Sequence, residues 1–186
     1  MKAIVRISVV FLILLQTVST NAQNKLHFGL DWSYLQGVSE KGDLWHIKSG
    51  LSGFDLSLTG MYDINKRLSA GIGVGVEKLY DPAYTIFPVF TKIVYSPLRS
   101  SEKPFIFTKI GYGIGSSISN AGFLFNPGLG YKFPLRQHFA ICVLLGYHLQ
   151  SVRYEINSYS SVASVVDSYT SHNNRHSISL GVGLVF

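Results

Sequence analysis

The 186-residue chain is poor in charge, in cysteine and in proline: charged residues make up 14% of it, and it has one Cys and 6 Pro. A charged fraction well below the usual quarter, together with 13% aromatic residues, excludes disordered tails and coiled coils. A single Cys excludes an internal disulfide framework. Cys142 lies in an apolar strand pattern, and we interpret it as a small buried hydrophobe.

The chain also lacks long hydrophobic runs, although it is rich in hydrophobic residues. They make up 47% of the sequence, and the mean hydropathy is +0.24. After residue 22, the longest nearly uninterrupted apolar run is Phe139 to Tyr147. A membrane-spanning helix needs roughly 20 such residues. The hydrophobic residues must therefore be distributed in another way.

Residues 1–22 have the organisation of a cleavable secretory signal peptide. Two basic residues precede the apolar block Ile7–Leu15, and a small-residue cleavage site ends at Ala22. The alternative, an N-terminal membrane anchor, is disfavoured because the apolar block is short. We expect cleavage to leave one domain, residues 23–186. Loss of two basic residues lowers the formal net charge from +6 to +4, which is too small an excess to favour nucleic-acid binding.

Beyond residue 24, large apolar residues alternate with small or polar ones, as expected for strands. In the first segment Leu26, Phe28 and Leu30 alternate with His27 and Gly29. A helix is excluded, because glycine at every second position destabilises a helix by roughly 1 kcal/mol each relative to Ala. The alternating segments number eight and cover residues 26–34, 54–62, 68–77, 87–95, 106–115, 123–133, 139–148 and 177–186.

Eight alternating strands fit either a soluble lipocalin-like barrel or a transmembrane barrel. Side-chain size favours the second, because the interior of eight strands is narrow and the bulky rows would overfill it. Strand length agrees with the roughly 9 to 11 residues of a tilted membrane strand. We therefore predict an all-β fold, an eight-stranded antiparallel transmembrane up-and-down β-barrel. Aromatic residues near the ends of the segments indicate two interfacial girdles: Trp32, Tyr34, Tyr62, Tyr80, Tyr95, Tyr131, Phe133, Tyr147 and Phe186.

These segments resemble the small outer-membrane β-barrel family of Gram-negative bacteria, the OmpA/OmpX-type eight-stranded domains. The sharpest local feature is the last segment, residues 177–186, which alternates throughout and ends on Phe186. The resemblance implies residence in the outer membrane, contact with outer-membrane lipid and lipopolysaccharide, and a monomer. It also implies that Phe186 is an assembly signal, read by the barrel assembly machinery.

The lengths of the connections predict the topology. Turns at 63–67, 96–104 and 134–137 are assigned to the periplasm, and connections at 37–50, 81–84, 117–121 and 150–173 to the outside, where long loops are typical. We expect the function to be structural or interaction-based and to depend on these loops. Trp45 and Tyr159 are candidate contact residues for an extracellular ligand, and the last loop is expected to extend the final hairpin.

Charged residues on the small, inward-facing rows suggest either an ion path through a narrow pore or a structural salt-bridge network. We favour the network, because eight strands leave little free bore. His148 belongs to the same rows, near the outer end. The predicted lumenal charge network consists of Asp31, Asp55, Glu77, Lys92, Lys109 and Lys132.

A lipid A-modifying enzyme is the remaining alternative, suggested by His176 and Ser177 in the last segment. Consecutive residues point to opposite faces of a strand, so these two cannot form a base and nucleophile pair. The six His show no metal-ligand spacing, although His46, His148 and His172 could approach His176 at the outer rim. We therefore predict a protein that is not an enzyme, without catalytic, cofactor-binding or metal sites.

Overall fold

The computed structural model describes residues 25–42, 46–47, 52–80, 83–98, 103–115, 122–136, 139–159 and 166–186. The predicted signal peptide, residues 1–22, and Trp45 lie outside these ranges. None of the described residues belongs to a helix with the length and apolar character needed to cross a membrane. The strands are β1 (Leu26–Gly42), β2 (His46–Ile47), β3 (Ser52–Asp63), β4 (Leu68–Tyr80), β5 (Ala83–Tyr95), β6 (Lys103–Gly115), β7 (Gly122–Arg136), β8 (Phe139–Tyr159) and β9 (Val166–Val185).

The sheet closes on itself. From β3 to β9 every strand pairs antiparallel with its neighbours in the chain, β1 pairs with β3, and β9 pairs with β1. The two-residue β2 pairs with β1 alone and is a small addition at one rim. Phe28 and Phe186 complete the closure through two backbone hydrogen bonds, of 2.7 and 2.9 Å. The predicted eight-stranded antiparallel barrel is confirmed.

The predicted orientation of the two faces is also confirmed. On β1, Trp32 is 55% exposed whereas its neighbour Asp31 is 2% exposed, and on β9 Leu180 is 58% exposed whereas Ser179 is 6% exposed. Large apolar side chains therefore cover the outside. The lumen holds small, polar and charged side chains together with buried rings and aliphatic side chains such as Phe90, Phe107 and Leu124, so the prediction of a uniformly small or polar inner face was wrong there. All nine aromatic residues assigned to the girdles are exposed on the outside: Trp32, Tyr34, Tyr62, Tyr80, Tyr95, Tyr131, Phe133, Tyr147 and Phe186.

The two ends of the barrel differ. We call the end that carries Lys25 and Phe186 the turn end, because residues 64–67 connect β3 to β4 there. At the opposite end, the loop end, the strands run farther than predicted. Most of 37–50 and 150–173 is strand rather than loop, since β1 continues to Gly42. The pairing of β8 with β9 continues to the pair Tyr159 and Val166.

At 150–173 this pairing is the expected extension of the final hairpin. The loop prediction failed at 37–50, because a ladder of backbone hydrogen bonds does not need an apolar face. The regular alternation of large apolar residues ends near Gln36, Leu149 and His176, while the backbone pairing of β1, β8 and β9 continues. A bulge between Gly37 and Ser39 marks the change on β1. At the turn end, β7 extends to Arg136, so most of the predicted turn 134–137 is strand.

Candidate functional site

Four charged side chains form a network in the middle of the lumen. The Lys92 ammonium lies 2.6 Å from a carboxylate oxygen of Asp31. The Lys109 ammonium lies 3.4 Å from the same oxygen and 3.3 Å from an oxygen of Asp55. It also donates a hydrogen bond of 2.8 Å to the Ser57 hydroxyl. All five side chains are buried, so these pairs replace the hydration of the charges.

Strand register brings this network together. Lys92 of β5 and Lys109 of β6 are direct register partners, and across the narrow lumen they meet the carboxylates of β1 and β3. Each ammonium also lies over an aromatic ring, Lys92 at 5.8 Å from the centroid of Phe107 and Lys109 at 5.1 Å from that of Phe90. The rings offer partial compensation for desolvation, as cation–π contacts do.

A second polar group surrounds His148 of β8. His148 Nε2 lies 3.1 Å from Glu77 Oε1, a close ion-pair distance without the alignment of a hydrogen bond. The Asn126 amide nitrogen lies 3.4 Å from the other ring nitrogen of His148 and donates to the Ser179 hydroxyl at 3.2 Å. Glu77 and His148 are fully buried or nearly so. The structure thus pairs Glu77 with His148 rather than with a lysine.

Asn126 is a lumenal residue that the sequence pattern did not single out. It precedes Pro127, and the register pairing of β7 with β8 is interrupted at these two positions. Proline has no N–H to donate to the opposite strand. The Asn126 side-chain amide instead donates to the carbonyl of Tyr147, at 3.1 Å. An Asn-Pro pair inside a strand pattern is the signal that could have revealed this residue.

Arg175 of β9 occupies the lumen at the loop end and is 1% exposed. One guanidinium nitrogen lies 4.0 Å from a carboxylate oxygen of Glu40, and another donates to the carbonyl of Ser52 at 3.1 Å. The Asn173 amide donates to Glu40 at 3.0 Å. Next to them a buried apolar cluster closes the bore: Leu35, Leu79, Ile86 and Val152. Glu40 lies in a segment predicted to be a loop, so its buried position was not predicted.

The turn end of the lumen is filled by apolar side chains. Phe105, Phe107, Cys142 and Leu144 form one buried cluster there, so Cys142 has the surroundings that its pattern indicated. Lys132, the sixth residue of the predicted charge network, is half-buried opposite Cys142 in the register. It does not take part in the ion pairs formed by Lys92 and Lys109.

The remaining free space in the lumen is small. A gap between the central network and His148 has room for roughly one water molecule. Its polar lining consists of Ser33, Asp55, Lys109, Asn126, His148 and Ser179. Within the described ranges, the bore is therefore filled by side chains in three successive layers: apolar at the turn end, charged in the middle, and mixed at the loop end.

The residues of the enzymatic alternative do not meet. Ser177 is fully buried in the lumen. His176 is on the outward face, where its ring is hydrogen-bonded to the Tyr147 hydroxyl. His148 lies in the lumen with Glu77, and His172 is exposed at the rim, so these histidines do not converge. Over the part of the chain that the structure describes, no group of three His, Cys, Asp or Glu side chains could hold a metal ion.

Comparison with known proteins shows a similarity of fold without a similarity of sequence. No protein-family model and no curated protein matched the chain. Among solved structures, the outer membrane protein OprG from Pseudomonas aeruginosa is 13% identical over 87% of this chain and 96% of that chain, with a TM-score of 0.57. Neisserial surface protein A (NspA) is 15% identical over 86% of this chain and 95% of that chain, with a TM-score of 0.54. The chain thus has the fold of the small outer-membrane β-barrels, and its apolar outer face is that of a protein spanning a membrane.

Proposed function

We propose that the protein is an OmpA/OmpX-type barrel of the outer membrane with a structural or adhesive role, carried by its loop end outside the cell, and without catalytic activity. The observation that supports this most directly is the contrast between a filled lumen and an extended loop end. The gap between the central network and His148 has room for about one water molecule, which does not suit transport. The loop end, in contrast, presents paired backbone beyond the wall of the barrel.

The extension is formed mainly by β8 and β9. The last pair of β8 with β7 joins Gln150 to Leu124, but β8 and β9 remain paired for nine further positions, to Tyr159 and Val166. At roughly 3.3 Å per residue, this ribbon extends about 30 Å along the strand direction. A ribbon of this length offers a large surface at a low cost in conformational entropy, which suits recognition of another molecule.

The sidedness is inferred from the lengths of the connections at the two ends of the barrel. Lys25 and Phe186 lie together at the turn end, next to the short connection 64–67. In barrels of this type, short turns face the periplasm and longer loops face the exterior. We assign the turn end to the periplasm and the loop end to the exterior on this basis.

The proposed partners are inferred from the outer face of the barrel and from its closing seam. The apolar outer face suits outer-membrane lipid, with lipopolysaccharide in the outer leaflet, and the absence of an open sheet edge in the closed wall favours a monomer. Phe186 lies at the closing seam, with its ring stacked on that of Phe28 at 6.3 Å. This exposed position at the closing seam suits an assembly signal for the barrel assembly machinery.

A shortened hairpin tests the proposal. Arg153 and His172 are register partners, so residues 154–171 can be replaced by Asn-Gly, the preferred two-residue hairpin turn. We expect the variant to keep the heat-modifiable gel migration of a folded barrel, because the wall is untouched. Attachment of expressing cells to immobilised collagen, fibronectin and mucin should fall to that of cells lacking the protein.

The control is the full chain at matched expression, assayed in parallel for uptake of a chromogenic β-lactam. Unchanged uptake with lost attachment supports the proposal. Unchanged attachment by a folded, surface-located variant, or a large change in uptake, would contradict it, and the second result would favour the narrow pore.

A further inference from the structure

Apolar side chains are exposed on the connections at the turn end. Three connections lie there, from β3 to β4, from β5 to β6 and from β7 to β8. Ile64 in the first is 53% exposed, Leu98 in the second is 52% exposed, and Leu135, one residue before the end of β7, is 58% exposed. These values match those of wall residues that face lipid, such as Trp32 at 55%. We call Ile64, Leu98 and Leu135 the apolar tips.

The local structure does not require apolar residues at these positions. In the first connection the side-chain oxygen of Asn65 closes the turn, accepting hydrogen bonds from the backbone N–H groups of Arg67 and Leu68 at 2.8 and 3.0 Å. The backbone N–H of Ile64 donates to the Leu68 carbonyl at 3.0 Å, and the side chain takes no part in the turn. Leu135 is the extra residue of a bulge, between two register pairs of β7 with β8. Turns favour glycine and polar residues, so an apolar tip is stabilising only where apolar surroundings cover it.

The tips continue the rows of side chains that face lipid. Tyr62 on β3, Tyr95 on β5 and Phe133 on β7 are exposed aromatic residues of the outer wall near the turn end. The tips follow two, three and two residues later along the chain. Because a strand tilted by about 40° rises about 2.5 Å per residue, the tips lie at most about 5–8 Å beyond these rings. Aromatic girdles mark the membrane interface, and each interfacial layer is about 5–7 Å thick. The tips therefore lie at the depth of lipid headgroups.

Basic side chains flank the first tip. The Lys25 ammonium lies 6.0 Å from the centroid of the Tyr62 ring. Lys66 and Arg67 are exposed in the same connection as Ile64. Long basic side chains keep their apolar stems against apolar surfaces and extend their charges toward water or lipid phosphates. An apolar tip among such side chains suits the layer where acyl chains meet phosphates.

The same connection holds a carboxylate, Asp63. It accepts a hydrogen bond of 2.5 Å from the Ser69 hydroxyl and lies 3.6 Å from a ring nitrogen of His27. Both partners are on inward rows, so this carboxylate is engaged on the lumenal side. Insertion of the tips does not need an excess of positive charge, because it depends on apolar contact.

We propose that the apolar tips insert among the phospholipid headgroups of the leaflet at the turn end and anchor the barrel there. The tips belong to three separate connections, so they are distributed around the circumference of the barrel. A lipid leaflet surrounds the barrel on every side and reaches all three, whereas a protein partner would have to form a ring to do so. The inference requires only that the barrel spans a membrane. It does not depend on the side that the turn end faces or on the role of the loop end.

The test measures the depth of each tip in a bilayer. A nitroxide spin label is attached to Ile64→Cys, Leu98→Cys or Leu135→Cys in the full chain, which is folded into vesicles of phosphatidylethanolamine and phosphatidylglycerol. Power saturation of the electron paramagnetic resonance signal compares collisions with oxygen, which concentrates in lipid, and with a water-soluble nickel chelate. Lys66→Cys, in the same connection as Ile64, is the matched control, and Leu56→Cys, on the lipid-facing side of β3, gives the value for hydrocarbon.

Two checks accompany the measurement. The one native thiol, Cys142, is buried, so the unsubstituted chain carried through the labelling reaction serves as the blank. Heat-modifiable gel migration verifies that each labelled variant is folded. If Leu135→Cys disturbs the bulge and does not fold, Ile64→Cys and Leu98→Cys decide the outcome.

We expect the ratio of oxygen to nickel collisions at every tip to exceed that at Lys66 by at least about 3-fold, because the tips lie at headgroup depth. Ratios no higher than at Lys66 would place the tips in water; they would overturn the proposal and favour a soluble protein as the partner. A raised ratio at only some of the folded tip variants would also overturn it, because a leaflet reaches the whole ring. None of these results bears on the attachment assay of the shortened hairpin, so failure here leaves the proposed function standing.

Discussion

Consecutive residues of each barrel strand point to opposite faces, one toward the lumen and one toward lipid. In the lumen charged side chains are paired with each other, whereas the outer face carries apolar side chains that need no polar partner. In the lumen, Asp31 and Asp55 are buried and are matched by Lys92 and Lys109. On the outer face, the lipid-facing apolar residues form a belt around the barrel. On β9 this belt runs from Ile178 to Leu184 and carries no charge. Lipid offers no partner for a charge, whereas a narrow lumen brings opposite strands within reach of a salt bridge.

This difference explains why the charges are segregated. A carboxylate on the belt would remain without a partner, whereas in the lumen it is paired with an ammonium across the narrow bore. The same alternation therefore serves two requirements, with charge pairing inside and hydrophobic matching outside. Removing a charge from the lumen, or placing one on the outer face, should show how much each of these two requirements contributes to stability.

The largest effect is expected from removing the cation that serves two carboxylates. Lys109→Met leaves Asp55 buried without its ammonium partner, so we expect the free energy of unfolding to fall by about 3–5 kcal/mol. Urea unfolding in phospholipid vesicles, followed by tryptophan fluorescence, measures the loss. Lys78→Met, on the outer face, should change stability by less than about 0.5 kcal/mol. Adding Asp55→Asn to Lys109→Met should recover part of the loss; equal stabilities for Lys109→Met and Lys78→Met would contradict a stabilising lumenal network.

A charge placed on the belt should have the next largest effect. Val182 is exposed to lipid on β9, and Val182→Arg is expected to destabilise the barrel by about 2–4 kcal/mol, because the guanidinium lies near the bilayer midplane. Asn174→Arg introduces the same side chain on the same outward face of β9 above the belt and should cost less than about 1 kcal/mol. The same unfolding measurement compares them. Similar losses for the two variants would show that the belt ends elsewhere than at His176.

The smallest effect concerns space rather than charge. A Cβ atom at Gly130 would come within 2.2 Å of the Phe105 ring in the lumen, whereas at Gly60 the nearest atom is a Phe28 ring carbon at 3.7 Å. We expect Gly130→Ala to destabilise the barrel by about 1–3 kcal/mol and Gly60→Ala to change it by less than about 0.5 kcal/mol. Phe105→Leu should partly restore the Gly130→Ala variant. A neutral Gly130→Ala would show that the lumenal ring has room to move.

Much of the wall could be predicted from the sequence, because alternation is a local property. Leu180 and Ser179 point to opposite faces whatever strand lies beside them, and the narrow interior of eight strands decides which face is inside. The charges of the lumen could be predicted in the same way, including Lys92 and Lys109 on inward rows, but the buried rings of Phe90, Phe105 and Phe107 could not.

The choice of partners could not be predicted. Lys109 contacts both Asp31 and Asp55, and Glu77 lies beside His148, because the register and tilt of strands far apart in the sequence determine which inward residues share a height. Arg175 and Glu40 were missed for a related reason. Their strands continue beyond the apolar belt, where hydropathy no longer reports the pairing.

By itself, then, the sequence determined a chain that alternates in eight segments, with charged and many small residues inside and most of its bulky apolar residues turned to lipid. Only the tertiary structure decided how far the strands extend past the membrane and how the lumen is filled. The physical reason is that side-chain direction is set within one strand, whereas register, closure and the reach of a hairpin depend on contacts between residues distant in the chain.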